Sequence, residues 1–333
     1  MAKYQVYGIG NALVDMEYEV EASDLGILGI DKGVMTLVDE QQQLAIMSHL
    51  KHHQPRRGSG GSAANSLIAL SQLGGKGFYS CKVADDELGH FYMEDLVQGG
   101  VDTNHHTEKA QGHTGRCVVL VTPDTDRTMC TFLGVSGALS VAELVEDALC
   151  DSEWFYTEGY LVTSDEARAA SIAAKGIADA AGVKTAISLS DPNMVKFFKH
   201  GLLEMIGSGV DLLFANEFEA MGMAGSDDLR VAVEDLKTIS KTFAITRGPR
   251  GALIWDGARL IEIPAVPVEA VDTLGAGDMF AGAFLYALTQ GWDHARAGQL
   301  AAAASARLVT HLGPRILAAE TQAVLQDFDQ MRL

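Results

Sequence analysis

The sequence is poor in the features that mark several large classes of protein. Its 333 residues include 4 cysteines, Cys81, Cys117, Cys130 and Cys150, with no Cys-x-x-Cys pair among them. That scarcity argues against a disulfide framework and against structural zinc, and it leaves reduced thiols in the cytoplasm as the expectation. Basic residues are also few: 25 Lys and Arg face 44 Asp and Glu, for a formal net charge of -19, and no basic cluster reverses the sign locally. A polyphosphate backbone would be repelled, so nucleic acid is not an expected partner, whereas a small anion can still bind in a locally positive pocket. Long apolar runs are missing too. The opening "MAKYQVYGIGNALVDMEYEV" is interrupted by charges and "LAAAASARLV" at 300–309 is broken by Arg307, so neither a signal peptide nor a membrane span is read. A Walker A loop is absent, and "GIGNAL" at 8–13 carries Leu13 where a dinucleotide fold needs its third glycine. Asp31 stands at the spacing of a ribose-binding acid, but the "MEYEVE" that follows the glycines is not a helix pattern, and hydride transfer is disfavoured.

What remains is an ordinary globular composition, 47% hydrophobic and 21% charged, long enough for one large α/β domain or two smaller ones. Strand-length apolar runs, "YQVYGIG", "EWFYTEGYLVT", "KTAISLS", "DLLFAN" and "FAITRG", alternate with helical patterns, which predicts a doubly wound, mostly parallel sheet flanked by helices. Ser140-x-x-Glu143 and Thr163-x-x-Glu166 read as capping boxes, the first opening a helix over "VAELVEDALC" and the second a helix that stops at Gly182. Two stretches depart from the alternation. "MEYEVE" at 16–21 places Met16, Tyr18 and Val20 on one face and three glutamates on the other, and "GRCVVLVTPDTDRTMCTF" at 115–132 reads as a hairpin. They predict a small β-sheet lid from 16–38 and 105–133 on a large domain of 1–15, 39–104 and 134–333. Its apolar face is expected to be buried on substrate or against a second subunit, giving a monomer or a homodimer through the lid.

Ligands of open α/β sheets bind beyond the carboxyl ends of the strands, and the conspicuous polar residues of this chain fall there repeatedly. Asn11 and Asp15 follow the first strand, Asn216 and Glu219 follow "DLLFA", and Thr246 to Gly248 follow "FAI". "GSGGSAANSLIAL" at 58–70 reads as a glycine-rich loop running into a helix. It is either a flexible connector or a place where Gly60 and Gly61 admit a polyhydroxyl ligand to the backbone, with Asn65 offering a donor and an acceptor. "NEFE" at 216–219 is either a helix cap or an amide and carboxylate able to hold Mg²⁺ through its waters. "TRGPRG" at 246–251 is a tight turn or a cradle for nucleotide phosphates with Arg247 nearby. "VDTLGAGDMFAGAFLYAL" at 271–288 begins a helix with two glycines and Asp278, which either caps that helix or meets a substrate hydroxyl while 275–277 offer N–H groups to a phosphate.

"GGSAANSLIALSQLG" at 60–74 and "DTLGAGDMFAGAF" at 272–284 together resemble the two signature segments of the ribokinase-like (PfkB) carbohydrate and nucleoside kinases, and the likeness runs along nearly the whole chain. Within that family, "GNALVD", "GGSAANS", "EGYLVT", "SLSDP" and "FANEFEA" are most similar to adenosine kinases and their bacterial relatives. The resemblance implies a ribokinase-like fold and transfer of the γ-phosphoryl group of ATP to a primary hydroxyl, adenosine becoming AMP, with a free sugar such as ribose or fructose as the alternative acceptor. It implies that Asp278 is the base and that Gly275, Ala276 and Gly277 form the anion hole. Asn11, Asp15, Gly60, Gly61 and Asn65 would hold sugar hydroxyls, and Tyr160, by position, would stack on a base. Asn216 and Glu219 would order Mg²⁺ and its waters, and Thr246, Gly248 and Gly251, with Asn216, would line the ATP site. Asp272 and Thr273 correspond to a monovalent-cation site, for K⁺, in some members. "SAAN" is as much a sugar-kinase spelling as a nucleoside-kinase one, Ala302 stands where ribokinases often carry Asn, and a non-catalytic nucleoside or sugar sensor would need no Asp278.

Overall fold

In the computed structural model, which describes residues 2–104, 110–124 and 127–330, the apolar runs assemble into a nine-stranded sheet. Across it lie Leu260–Ile263, Ala252–Trp255, Ser240–Thr246, Val210–Asn216, Lys184–Ser188, Ser152–Glu158, Tyr4–Ile9, Gly77–Ser80 and Val101–Thr103. The last seven are parallel, and the first two add an antiparallel edge. Because side chains alternate across a strand, each run feeds two cores. Val6, Ala186, Leu212 and Phe214 face the helices Ser62–Gln72, Ala276–Thr289 and His294–Leu308; Tyr7, Ile187, Leu213 and Phe243 face Asp165–Ala181, Pro192–Ile206 and Leu229–Leu236. All five expected strands of the large sheet form, but the run "EWFYTEGYLVT" is strand only as far as Glu158, and Gly159–Thr163 is a 3₁₀ helix.

One packing contact decides where the chemistry can sit. A methyl group on Gly282 would stand 2.2 Å from the carbonyl oxygen of Ser66, so the helices Ala276–Thr289 and Ser62–Gln72 are in near backbone contact there. That approach is open only to glycine, and it brings the first turns of the two helices side by side.

The second sheet has five strands in the order Met35–Leu37, Arg127–Phe132, Gly115–Val121, Leu13–Glu19 and Arg56–Gly60. Leu13–Glu19 and Arg56–Gly60 draw partly on segments expected to belong to the large domain, and the glycine-rich stretch expected as a loop begins as strand through Gly60, with the helix following from Ser62. The lid segment expected from 105 begins on residues 105–109, and its turn includes 125–126; both lie outside the described residues. Met16, Tyr18 and Val20 are buried, as the alternation requires, but by Leu25, Ile46 and Leu50 of this chain's own helices Ala22–Leu28 and Glu40–His49 and the loop that follows. Their burial therefore needs neither substrate nor a second subunit.

Two helix starts also differ. The Ser140–Glu143 box is present, but it opens a single 3₁₀ turn, Val141–Glu143, and the α-helix is only Glu146–Cys150. The next helix is capped by Ser164, which accepts from the Ala167 N–H at 3.3 Å, one residue after the expected Thr163.

Candidate active site

The expected residues converge on a cavity of about 370 Å³ between the two sheets. Asn11, Asp15, Gly61, Asn65, Tyr160, Asn216, Glu219, Thr246, Thr273 and residues 275–278 line it. Gly60 lies directly beneath Asp15. Gly248 and Gly251 instead line an adjoining cleft of about 1060 Å³, whose walls include Pro264, Val266, Val268, Phe280, Ala302 and Val309. Thr246, Thr273, Ala276 and Gly277 border both spaces, so the start of the helix Ala276–Thr289 stands at their junction.

Asp278 is the third residue of its helix, after an N-cap at Gly275, and its carboxylate makes no capping bond. It accepts instead from Ser62 Oγ at 2.6 Å and from Asn65 Nδ2 at 2.9 Å, both on the neighbouring helix. Capping is thus not its role here. Burial pushes its carboxyl up to about 6, against the lowering effect of those two donors and of Arg315. Gly275 adopts φ +75° with Pro314 packed where a Cβ would go. Ala276 N–H donates to Thr273 O at 3.2 Å, while the N–H groups of Gly277 and Asp278 have no backbone partner among the described residues and remain for an anion at the positive end of the helix.

Asn65 is more committed than its sequence suggested. Its Oδ1 accepts from Arg315 Nε at 2.8 Å while Nδ2 serves Asp278, so it orders the carboxylate first and has one N–H left for a ligand. Asp15, across the cavity, is pushed up to about 7 by burial, with Asp278 and Glu17 raising it and Arg315 and Arg127 lowering it.

Sequence reasoning missed Glu158. Its carboxylate is 1% exposed and accepts from Asn11 N–H at 2.9 Å and Ala63 N–H at 2.7 Å, tying the end of the first strand to the start of the helix Ser62–Gln72. Burial pushes this carboxyl also up to about 7. The only signal in the sequence was a glutamate inside an apolar strand pattern. Tyr160, next to it, lines the cavity with its hydroxyl 3.5 Å from Ser190 O.

Asn216 and Glu219 form a reciprocal capping box: Asn216 donates through its backbone N–H and Nδ2, at 2.9 and 2.6 Å, and accepts from Glu219 N–H at 2.9 Å. Burial, with Asp191 nearby, pushes the Glu219 carboxyl up to about 7, so this cavity-lining carboxylate lacks a compensating positive charge. An amide and a carboxylate in that state suit Mg²⁺ held through water. Asp272 does not suit K⁺ in the same way. Its carboxylate already accepts from Leu274 N–H at 3.0 Å and Gly313 N–H at 2.7 Å and pairs with Arg127 at 2.9 Å, a set of donors rather than of acceptors. Arg247, expected near phosphates, turns to Glu262 and to the carbonyl of Arg250.

A cavity holding a poised carboxylate beside free helix N-terminal N–H groups, next to a nucleotide-sized cleft, is built for phosphoryl transfer. The model of the pfkB family carbohydrate kinases matches residues 26–322. The chain belongs to that family. It is a phosphotransferase with an alcohol as acceptor. It is similar to the crystal structure of adenosine kinase from Sinorhizobium meliloti, with 35% identity, a TM-score of 0.90, and 98% of this chain and 100% of that one covered. An adenosine kinase of Schizophyllum commune is 28% identical over 87% of this chain and 90% of its own length. A ribokinase of Haemophilus influenzae is 30% identical over 74% of this chain and 80% of its own.

Proposed function

We infer that the protein is an ATP-dependent nucleoside kinase, forming AMP from adenosine. The observation that carries this reading is the apolar ceiling of the cavity: Leu13, Met35, Leu37, Met129 and Leu133 of the small sheet and its edge line the space together with Asp15 of that same sheet and with Asn11, Asn65 and Asp278. A free sugar, hydroxylated on every side, would leave such a ceiling poorly matched, whereas a nucleoside offers one polar and one apolar end.

In this reading Asp15 and Asn11 hold the vicinal hydroxyls of the ribose, Gly61 lets it approach the backbone, Gly60 leaves room for the Asp15 carboxylate rather than for the ribose, and Tyr160 packs on the base. Asp278, ionised above about pH 6, takes the proton from the primary hydroxyl as it attacks. Of the expected anion hole, Ala276 is already committed through its N–H to Thr273 O, so the free N–H groups of Gly277 and Asp278 stabilise charge on the transferred group, a role that costs no reorganisation because the helix fixes them beforehand. Asn216 and Glu219 would hold Mg²⁺, which neutralises phosphate charge when bound. Thr246, Gly248 and Gly251 contribute to the nucleotide site, with the apolar walls of the adjoining cleft taking its base. K⁺ has no part in this reading while Arg127 holds Asp272. Three of the four thiols are buried and unpaired, which suits a reducing compartment such as the cytoplasm.

The test is ADP formation from Mg-ATP against adenosine, inosine, guanosine, ribose and fructose, with and without KCl. Preference for adenosine, unchanged by KCl, is expected. Preference for a free sugar would keep the mechanism and replace the substrate, and turnover of none of them would leave a binding protein.

A further inference from the structure

Asp278 is held by an amide whose own orientation depends on a residue far away in the sequence. A side-chain amide has two ends of nearly equal size and opposite polarity. With its oxygen toward Asp278, Asn65 would set two acceptors against each other; with its nitrogen there, it donates. What fixes the choice on the other side is Arg315, whose Nε donates to Asn65 Oδ1 at 2.8 Å. Arg315 is itself tied down, because its Nη1 donates to Ser59 Oγ and to Asp95 Oδ2, each at 2.9 Å, and Ser59 donates to the same Asp95 oxygen. The chain of contacts runs from the helix Glu87–Gln98 through Arg315 and Asn65 to Asp278.

We propose that Arg315 is a positioning residue for the phosphoryl transfer: it locks the Asn65 amide with its nitrogen toward Asp278, and so sets the direction in which the base presents its free lone pairs to the attacking hydroxyl. The proposal rests on the reading of Asp278 as the base and adds to it a residue that touches neither substrate nor phosphate. A rotated amide would both lose the 2.9 Å bond and turn the carboxylate away, and small displacements of a catalytic group are costly. Arg315 acts on charge as well as on direction. Its Nη2 is buried and makes no hydrogen bond to any of the described residues. The cation is a lowering influence on both Asp278 and Asp15; Asp15 is in turn raised by Asp278 and Glu17 and lowered also by Arg127.

The test compares Arg315→Met, Arg315→Lys, Asn65→Ala and the Met–Ala double variant, each confirmed folded by its melting temperature. For Arg315→Met, kcat is expected to fall by about 10- to 100-fold with KM for Mg-ATP within about twofold, and the acid limb of kcat/KM against pH to move upward. Arg315→Lys keeps a charge but cannot reach Asn65 and Asp95 together, so it should restore the limb and leave kcat low. In the Asn65→Ala background, Arg315→Met should cost kcat little more, because the residue it acts through is gone. Unchanged kcat in folded Arg315→Met, or losses that simply multiply in the double variant, would overturn the proposal. If Arg315→Met fails to fold, the Lys variant decides it: full kcat there removes the need for the fork of bonds. Asp278→Asn run alongside separates the two readings, since normal kcat in that variant would sink the base itself whatever Arg315 does.

Discussion

Asp15 and Gly60 are so close that a methyl group on the glycine would stand 2.3 Å from Asp15 Oδ2. The two belong to paired strands of the small sheet, and the glycine is the space into which the carboxylate folds. Gly60→Ala should therefore displace Asp15 rather than merely crowd it. KM for the nucleoside is expected to rise about tenfold or more, the equivalent of roughly 1.4 kcal/mol, while KM for Mg-ATP stays near its starting value. Steady-state kinetics with each substrate varied in turn would show this, and an equal rise in both constants would contradict it.

Asp278→Asn keeps the shape of the residue and removes its basicity. General-base assistance is typically worth about 10² to 10⁴ in rate, so kcat should drop by about 100-fold or more. Retention of near-normal kcat would show that the carboxylate is not the base.

The same variant makes a prediction about stability. Burial holds Asp278 near 6 in the folded protein, above its ordinary value of 3.8. The unfolded chain therefore releases this proton first, so the stability present below about pH 4 is lost as the pH rises through 6. An asparagine cannot titrate. In substrate-free protein, the melting temperature of Asp278→Asn relative to wild type should rise between pH 4 and pH 8, by a few degrees for each ~1 kcal/mol involved. A difference that is flat with pH would mean that the folded protein does not hold this carboxyl above its ordinary range.

The apolar ceiling should carry the preference for a base. Leu37→Asn places a polar amide there, and KM for adenosine is expected to rise about tenfold, within the range set by a single pocket contact. Ribose, which has no base to reach that wall, should be turned over as slowly as before. A parallel loss with both acceptors would move the base site elsewhere.

Much of this was legible in the sequence because local pattern and tertiary use agree. Strands such as Val210–Asn216 carry an unbroken apolar run, here Leu212 to Ala215, as a sheet covered on both faces demands, and the polar residue at the carboxyl end, Asn216, lines the cavity. Arg56–Gly60 was misread because its composition, two arginines, two glycines and a serine, has no strand propensity; pairing with Leu13–Glu19 overrides it. Glu158 and Arg315 were invisible for another reason. Their roles exist only through partners brought up by the fold, Ala63 95 positions away and Asn65 250 positions away, and no spacing rule reaches that far. The capping box at Asn216 and Glu219 was weighed beside a Mg²⁺ role, and the two are compatible once the buried carboxylate is seen to lack a cation.

The near contact of two helices at Gly282 has a consequence for how this protein can change over time. Proton handling is anchored in the core, where almost any substitution would disturb folding along with chemistry. The residues facing the far end of the substrate stand on a separate sheet with helices of its own. Substitutions in that sheet can retune which alcohol is accepted while the groups that move the proton stay in place.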